Sequence, residues 1–599
     1  MAERMSDKDF KFWRDEINFA KSQWKAMGLL GSEGGLSEHA SNMRLMLDFY
    51  RGYQWGRLDF NHLGLHSDFE RSANKIFPIA NGIEGDLTAR SPRVRLRPRT
   101  QDSVRMAPGV ESLYNYDIIE LGMKRQLKRA FRHHLFAPFG AIRHGFTPRE
   151  EFETERTGRR MQLYPGARPD RPWIHATPIW DVLMDPRQAG FHVDDGIWWV
   201  AFRTVEPLED LLDNPNTINR KGLEDFAGNI SPEWRHLMPD NAPQVTDPNI
   251  QNFVELWTVY EARERTWFQM TLDGIDKPIR ERADWPINWE TLPINVFAVN
   301  EQMDTPFSLS MLDQLASTQE EINLLRAMMK QLVFRLRRLI GVDENKIDSA
   351  ELTKIETGQL MEIIRTKGVP QEVIQAISSG VFPQELLQYL AVLEEEMREK
   401  VGQSKPGRGQ RINVESATEA ANVQQGQDVH EGRINDVWQD FTIDVIRLYA
   451  QGRRETMAAT GEDEFVPIAG KIDADGLQEW AQVTPDALHK EYEFLLIPGS
   501  MRASDKQRDV ALAQQALTQA LASPDMLNVA FFARKWVEAM DQDPVEGLQK
   551  EALTNSFVRA LDQQRRNAAP GEESAAGSGV GPEVALATSN AAGGGGQIQ

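Results

Sequence analysis

The residues Leu315–Ile340, LASTQEEINLLRAMMKQLVFRLRRLI, carry the clearest periodicity in the chain. Two sets of apolar side chains recur every seven residues, and the second set is offset by three residues, as at the a and d positions of packed helices. The pattern predicts one helix over residues 308–340, roughly 48 Å long at about 1.5 Å per residue. The first set, here called the helix seam, consists of Leu315, Ile322, Met329 and Leu336.

Two kinds of neighbour can cover the helix seam: the core of the same subunit, or the same helices of adjacent subunits. The following sequence favours the second. Residues 341–382 form only a small insert, predicted to be an αβ unit with a strand at Leu360–Ile364 and a short helix near Gln371–Ile377. Residues 383–403 then predict a second helix with one apolar stripe. A small insert cannot cover two helices of that length.

A flexible basic segment follows the second helix. Residues 404–414 contain Gly and Pro together with Lys405, Arg408 and Arg411, in a chain that is otherwise acidic. A long helix is predicted to begin near Ser416 within residues 415–503, and an Ala-rich helical region within 504–566. The last stretch, 567–599, has the Ala, Gly and Ser content of a disordered tail.

The first 300 residues mix helical and β-rich segments. Residues Asp9–Met27 place apolar side chains at three- and four-residue spacings and predict a helix. Residues Arg93–Arg99 alternate strictly, so a strand there would carry four arginines on one face. Residues Ala107–His134 predict a further helical stretch. Short β-rich runs separated by Pro, Gly, Asn and Asp fill residues 139–300, so the fold class is α+β.

Composition excludes several classes of protein. The 599 residues include no cysteine, which excludes disulfides, thiolate metal sites and cysteine nucleophiles. The sequence contains neither a phosphate-binding loop nor a His-Glu-x-x-His motif, and no apolar run is long enough to span a membrane. The formal charge of −21 opposes tight binding to nucleic acid. Where arginines cluster, as at Arg93–Arg99, we expect ion pairs across a subunit contact.

Three histidines leave a hydrolytic alternative open. His133, His134 and His144 follow or end a basic helix, where capping or contact with solvent is the ordinary role. A metal-dependent hydrolase could use them as ligands. No clustered acid–base pair in the sequence supports that alternative, and we predict neither a cofactor nor a metal site.

The order of several segments resembles the portal (head–tail connector) proteins of tailed bacteriophages, in particular the podovirus-like branch. The resemblance extends from about Phe49 to about Tyr449. The segments that carry it are Phe49–Trp55 (FYRGYQW), Asn74–Ile79 (NKIFPI), Gly85–Pro92 (GDLTARSP), Ala137–Gly140 (APFG), Pro178–Pro186, Val254–Trp257 (VELW), Gln319–Asn323 (QEEIN) and Glu415–Ala420 (ESATEA).

The resemblance implies a portal fold with a mixed α/β wing, two long stem helices, a small αβ clip insert and a helical crown. Residues 1–300 would form the wing, 308–340 and 383–403 the stem helices, and 341–382 the clip. Residues 404–414 would form a tunnel loop whose Lys405, Arg408 and Arg411 face DNA. The remaining parts would be a wing return with the long helix over 415–503, a crown over 504–566 and the tail over 567–599.

The function implied by the resemblance is structural and mechanical rather than enzymatic. Portal subunits form a ring, typically of twelve, at the unique capsid vertex. Double-stranded DNA enters and leaves through the ring without sequence-specific contacts. The implied partners are the terminase large subunit, the major capsid and scaffolding proteins, and a head–tail adaptor, with no membrane. The location is the virion, and the host cytoplasm during assembly. The alternative class is another oligomeric virion protein, such as a head–tail adaptor or scaffold.

Overall fold

A computed structural model provides the coordinates of the chain. It describes residues 5–26, 38–54, 73–148, 170–187, 196–228, 252–272, 277–302, 307–335, 339–342, 345, 347–348, 367, 369, 374–377, 382–401, 417–472, 478–497, 501, 506–522, 529, 532–533 and 536–537.

Helices account for most of the regular structure. In chain order they are α1 (Asp7–Ala26), α2 (Glu38–Arg51), α3 (Ile76–Leu87), α4 (Ser103–Glu120), α5 (Met123–Phe136), α6 (Leu208–Asp213), α7 (Arg220–Phe226), α8 (Ala316–Arg335), α9 (Glu385–Glu399), α10 (Ala417–Thr460), α11 (Pro485–Leu488) and α12 (Lys506–Ala522).

The strands are mostly short. In chain order they are β1 (Val94–Pro98), β2 (Gly140–Phe146), β3 (Pro172–Thr177), β4 (Val182–Met184), β5 (Trp199–Pro207), β6 (Phe253–Glu261), β7 (Thr266–Met270), β8 (Arg280–Asp284), β9 (Ile294–Phe297), β10 (Leu339–Val342), β11 (Ile374–Ile377), β12 (Glu464–Ile472), β13 (Gln478–Val483) and β14 (Tyr492–Leu496). The α+β class is therefore confirmed.

The strands form antiparallel sheets. Strands β4 to β8 make a five-stranded sheet in sequence order, and a three-stranded sheet has the order β3-β2-β9. Three further sheets are two-stranded ribbons: β1 with β14, β10 with β11, and β12 with β13. The ribbon of β1 and β14 joins segments almost 400 residues apart, so the chain returns to its N-terminal third.

Contacts divide the chain into two compact units, Met1–Ala503 and Ser504–Gln599. The first unit holds two large cores. One is built mainly by α2–α5, α8–α10 and β1, and the other by α1 with the three- and five-stranded sheets. A small third core lies under α6 and α7. The described part of the second unit includes α12.

The predicted patterns of two N-terminal elements are confirmed. In α1, the side chains spaced three and four residues apart are all buried, namely Phe10, Trp13, Ile17, Ala20 and Trp24. In β1, Val94 and Leu96 are buried, while Arg95 and Arg97, which alternate with them, are exposed. The stretch predicted as one helix over Ala107–His134 is two helices. The break is at Gly122, whose φ of 61° favours glycine.

The helix predicted over 308–340 is shorter at both ends than predicted. It begins at Ala316, because Leu309 forms an isolated bridge with Asn300 and residues Asp313–Leu315 make a 3₁₀ turn. At the other end, Leu339 already belongs to β10. The heptad repeat could not reveal this boundary, since apolar residues continue from the helix into the strand.

The insert and the second helix also differ from the prediction. The short helix predicted near Gln371–Ile377 is wrong, because Ile374–Ile377 is strand β11, paired antiparallel with β10. The strand predicted at Leu360–Ile364 lies outside the described residues. The second helix, predicted over 383–403, spans Glu385–Glu399. Its predicted apolar stripe is confirmed, with Leu393, Met397 and Val401 buried and Leu386 and Leu390 packed against the same core.

The long helix after the predicted tunnel loop is α10, which begins at Ala417, close to the predicted start at Ser416. It continues to Thr460. Gly461 terminates it with a φ of 65° and donates its N–H to the carbonyl of Met457. Such a left-handed glycine is a common helix stop.

Candidate functional site

Helices α8 and α9 pack against each other in opposite directions. Near the start of α8, the Thr318 hydroxyl accepts a hydrogen bond from the ammonium of Lys400 at 2.8 Å. Further along α8, the guanidinium of Arg326 lies 3.9 Å from Glu394. Moving forward along α8 therefore means moving backward along α9. The two helices bracket the β10–β11 ribbon, and we refer to helices and ribbon together as the two-helix unit.

Glu394 connects the two-helix unit to the rest of the first core. One carboxylate oxygen lies 2.9 Å from the ammonium of Lys75, just before α3, and 3.9 Å from Arg326. The other oxygen is 3.6 Å from Arg398, one turn further along α9. In the sequence, Glu394 belongs to a run of three glutamates for which a solvated, partner-facing surface is favoured over a cation site. The structure instead places Glu394 beside three cationic side chains.

Two buried amides of α8 hold the irregular residues 73–75 that precede α3. Asn323 accepts the N–H of Ala73 at 3.1 Å, and Gln319 accepts the N–H of Lys75 at 3.0 Å. The Gln319 amide nitrogen donates to the carbonyl of Ala73 and to Asn323, while Asn323 donates to Gln54 at 2.7 Å. Both side chains are fully buried. Two polar residues spaced i, i+4 on an apolar helix face are the sequence signal for this network.

The helix seam lies largely within the core of its own chain. Leu315 and Ile322 are fully buried in the first core, and Met329 is partly buried against it. Leu336 lies outside the described residues. For Leu315 and Ile322, the interpretation favoured from the sequence, packing against neighbouring subunits, is therefore wrong. The segment before α3, together with α2 and α9, covers a face that the insert alone could not cover.

Other apolar side chains of the two-helix unit are exposed. Met328 and Val333 on α8, with Leu387 and Val392 on α9, each expose 45% or more of their surface. Scattered exposed apolar residues are common on protein surfaces. On both helices these residues, with the exposed Tyr389 that donates its hydroxyl to Glu321, leave apolar surface available for contact with another protein.

The predicted tunnel loop is not part of the described structure. Residues 404–414, with Lys405, Arg408 and Arg411, lie between the described segments 382–401 and 417–472. The DNA-facing role of these three residues therefore stays a prediction from sequence.

The three candidate histidines do not form one site. His134 accepts the backbone N–H of Val299 at 3.1 Å, and the Nε2–H of His144 donates to Asn295 at 2.7 Å. Burial lowers the pKa of His133, His134 and His144 to about 4, with Arg129 adding to the effect at His133. These rings are neutral at pH 7 and join the basic helix α5 and strand β2 to their neighbours.

A buried arginine connects strands of the five-stranded sheet to the turn before it. The guanidinium of Arg203 lies 3.1 Å from Asp181 and 3.0 Å from Glu255. Glu255 also accepts the indole N–H of Trp257 at 3.1 Å. Burial raises the pKa of Asp181 to about 6, although Arg203 opposes the shift. This cluster connects strands β5 and β6 to the turn before β4.

No protein-family model matches the chain, and no curated protein matches it. In the described segments, no helix combines the length and the apolar character of a membrane span. Across the same segments, no three His, Asp or Glu side chains are grouped as metal ligands.

Proposed function

We propose that this chain is the subunit of a phage portal ring. Copies of it would surround a channel at the unique capsid vertex, through which DNA is packaged and later ejected. The tail would assemble on the outer end of the same ring. The subunit itself would hydrolyse nothing, and the terminase large subunit would supply the work of packaging.

The observation that carries the proposal is the two-helix unit. Antiparallel α8 and α9 bracket a β-ribbon, and a single chain leaves Met328, Val333, Leu387 and Val392 exposed on them. A ring repeats one heterologous contact around an axis, so each subunit must leave surface uncovered for its neighbours. A stem of paired helices with uncovered apolar residues fits this requirement.

The other parts follow from the same proposal. The β10–β11 ribbon would belong to the clip that meets the terminase and later the head–tail adaptor. The mixed region before residue 300 would form the wing, against which capsid and scaffolding proteins assemble. Residues 404–414 would be the tunnel loop, where mobile cations on an acidic wall touch passing phosphates weakly.

Electron microscopy of the purified full-length chain tests the proposal. We expect negatively stained particles that are rings with a central hole, and native mass spectrometry that gives one closed oligomer near twelve copies. Monomers at every concentration, or open filaments, would refute the proposal.

A further inference from the structure

The ribbon of β1 and β14 has one buried face and one exposed face. On the buried face, Val94 pairs with Leu496 and Leu96 with Phe494, and these residues pack in the first core. Residues directly opposite each other in an antiparallel pair share a face. The exposed face therefore carries the residues between these pairs.

Four arginines project from the β1 side of that exposed face. Arg93, Arg95, Arg97 and Arg99 are all exposed, and alternate residues of a strand are about 6.8 Å apart. We call them the arginine row. Two polar side chains of α4 bind the backbone of β1 along the edge away from β14. Asn115 accepts the N–H of Val94 and donates to its carbonyl, and Glu111 accepts the N–H of Leu96. These contacts fix the strand that carries the row.

The strand opposite the row presents both carboxylates and aliphatic side chains. Arg97 faces Glu493, 3.5 Å away, and the Arg99 N–H donates to the carbonyl of Glu491. Arg95 faces Leu495 instead, and the carbonyl of Arg93 accepts the N–H of Ile497. The face thus combines four guanidinium groups, two carboxylates and two aliphatic side chains.

We infer that the arginine row is a subunit contact that binds a carboxylate-rich surface of a second copy of this chain. The inference rests on the ring proposed above and assigns one of its heterologous contacts. The chain has 89 Asp and Glu against 68 Lys and Arg, a formal charge of −21, so the positive row complements the net charge of its own copies. Arginine forks bind carboxylates through two parallel hydrogen bonds, which fixes orientation as well as charge.

The composition of the face favours a protein partner over nucleic acid. Ile497 exposes 40% of its surface beside the row, and a phosphate backbone would leave such a side chain uncovered. Protein interfaces, in contrast, are enriched in arginine at apolar contacts. Glu493 of β14 and Glu491 just before it would also repel phosphates along half of the row.

A triple substitution with a charge-matched control tests the inference. The variant Arg95→Gln, Arg97→Gln and Arg99→Gln removes three positive charges from the row. The control Lys8→Gln, Lys11→Gln and Lys221→Gln removes three from exposed positions on α1 and α7. We expect the dissociation constant for assembly to rise at least tenfold in the row variant and less than twofold in the control. The wild type should show the same weakening with added salt. Equal thermal melting of both variants establishes that they fold.

Cross-linking identifies the contact directly. The variant Arg95→Lys keeps the charge and supplies an amine to a carbodiimide, which joins amines only to adjacent carboxylates. In rings mixed from ¹⁴N- and ¹⁵N-labelled copies, we expect cross-linked peptides of hybrid isotope composition from position 95.

Two outcomes would overturn this inference alone, leaving the ring intact: unchanged assembly of the row variant, or cross-links only within one copy. Weaker binding of duplex DNA by the row variant, with unchanged assembly, would also overturn it in favour of nucleic acid. A wild-type chain that never assembles would refute both the inference and the proposed function.

Discussion

Oδ2 of Asp117 accepts a hydrogen bond from Nε of Arg453 at 3.0 Å, and both side chains are buried. The same oxygen accepts the hydroxyl of Tyr449 at 3.1 Å, and Arg453 also pairs with Glu464. Helices α4 and α10 and strand β12 therefore meet at one charged pair. Because burying either charge without the other is costly, the pair favours the packing of these three elements against one another.

We expect Asp117→Ala to lower the free energy of unfolding by about 3–5 kcal/mol, because it leaves the Arg453 guanidinium buried without its main partner. Chemical denaturation of the full-length chain measures the loss. Asp444→Ala is the matched control, since Asp444 forms an exposed pair with Arg447, 3.1 Å away, and should cost less than about 1 kcal/mol. Equal losses in the two variants would contradict a structural role for the buried pair.

The stability contributed by Asp181 should decrease as pH rises. Burial raises its folded pKa from the ordinary 3.8 to about 6, so the folded protein holds this proton more tightly than the unfolded chain. Linkage then makes the contribution largest below pH 3.8, and it is lost as pH rises through about 6, by up to about 3 kcal/mol. The measurement is the unfolding free energy of wild type minus that of Asp181→Asn, followed across this window. A difference that is flat or grows with pH would contradict the raised pKa.

Removing the amides of α8 should release the segment before α3. In Asn323→Ala the N–H of Ala73 loses its acceptor, and in Gln319→Ala the N–H of Lys75 does. Each loss leaves a polar group without a partner and should cost about 1–3 kcal/mol. Hydrogen exchange with mass spectrometry should show faster exchange in the peptide around residues 73–79. Exchange that speeds up equally throughout α8 would indicate general destabilisation instead of release of this segment.

Local sequence patterns were sufficient to predict elements whose apolar spacing fits only one type of secondary structure. In α1, apolar residues three and four positions apart predict a helix and its buried face. In β1, the strict alternation of arginine with apolar residues predicts a strand and its buried face. Both predictions are confirmed. The same reasoning failed for Leu339–Val342, since apolar residues suit a strand as well as a helix. Its pairing with Ile374–Ile377 depends on a segment more than 30 residues away.

The candidate site was predictable as a pair of helices around an insert, but its internal contacts were not. Buried polar pairs such as Asp117 with Arg453 form between residues more than 300 positions apart. No regular spacing in the sequence relates residues so far apart. A single sequence therefore contains both charged residues but does not indicate that they form an ion pair. The helix seam illustrates a related limit: periodicity identifies an apolar face, but which surface covers that face depends on the tertiary fold.

Neutralising the predicted tunnel loop should impair DNA handling and leave assembly unchanged. The variant Lys405→Ser, Arg408→Ser and Arg411→Ser removes the mobile cations that would touch phosphates. We expect rings of wild-type appearance by electron microscopy, with shorter packaged DNA or loss of DNA from filled particles. Gel electrophoresis of DNA extracted from nuclease-treated particles measures both effects. Packaged length and retention equal to wild type would refute the role assigned to the loop.

Truncating a buried apolar residue of the two-helix unit should lower the stability of the single chain, whereas truncating an exposed one should affect only assembly. Ile322 is fully buried in the chain's own core, so Ile322→Ala should lower the free energy of unfolding by about 2–5 kcal/mol. Val392→Ala and Leu387→Ala remove side chains that a single chain leaves about half exposed, and should change it by less than about 0.5 kcal/mol. If these residues face a neighbouring subunit, the same two substitutions should weaken ring assembly in sedimentation velocity. Assembly at wild-type concentrations in the Val392→Ala and Leu387→Ala double variant would place the ring contact elsewhere on the chain.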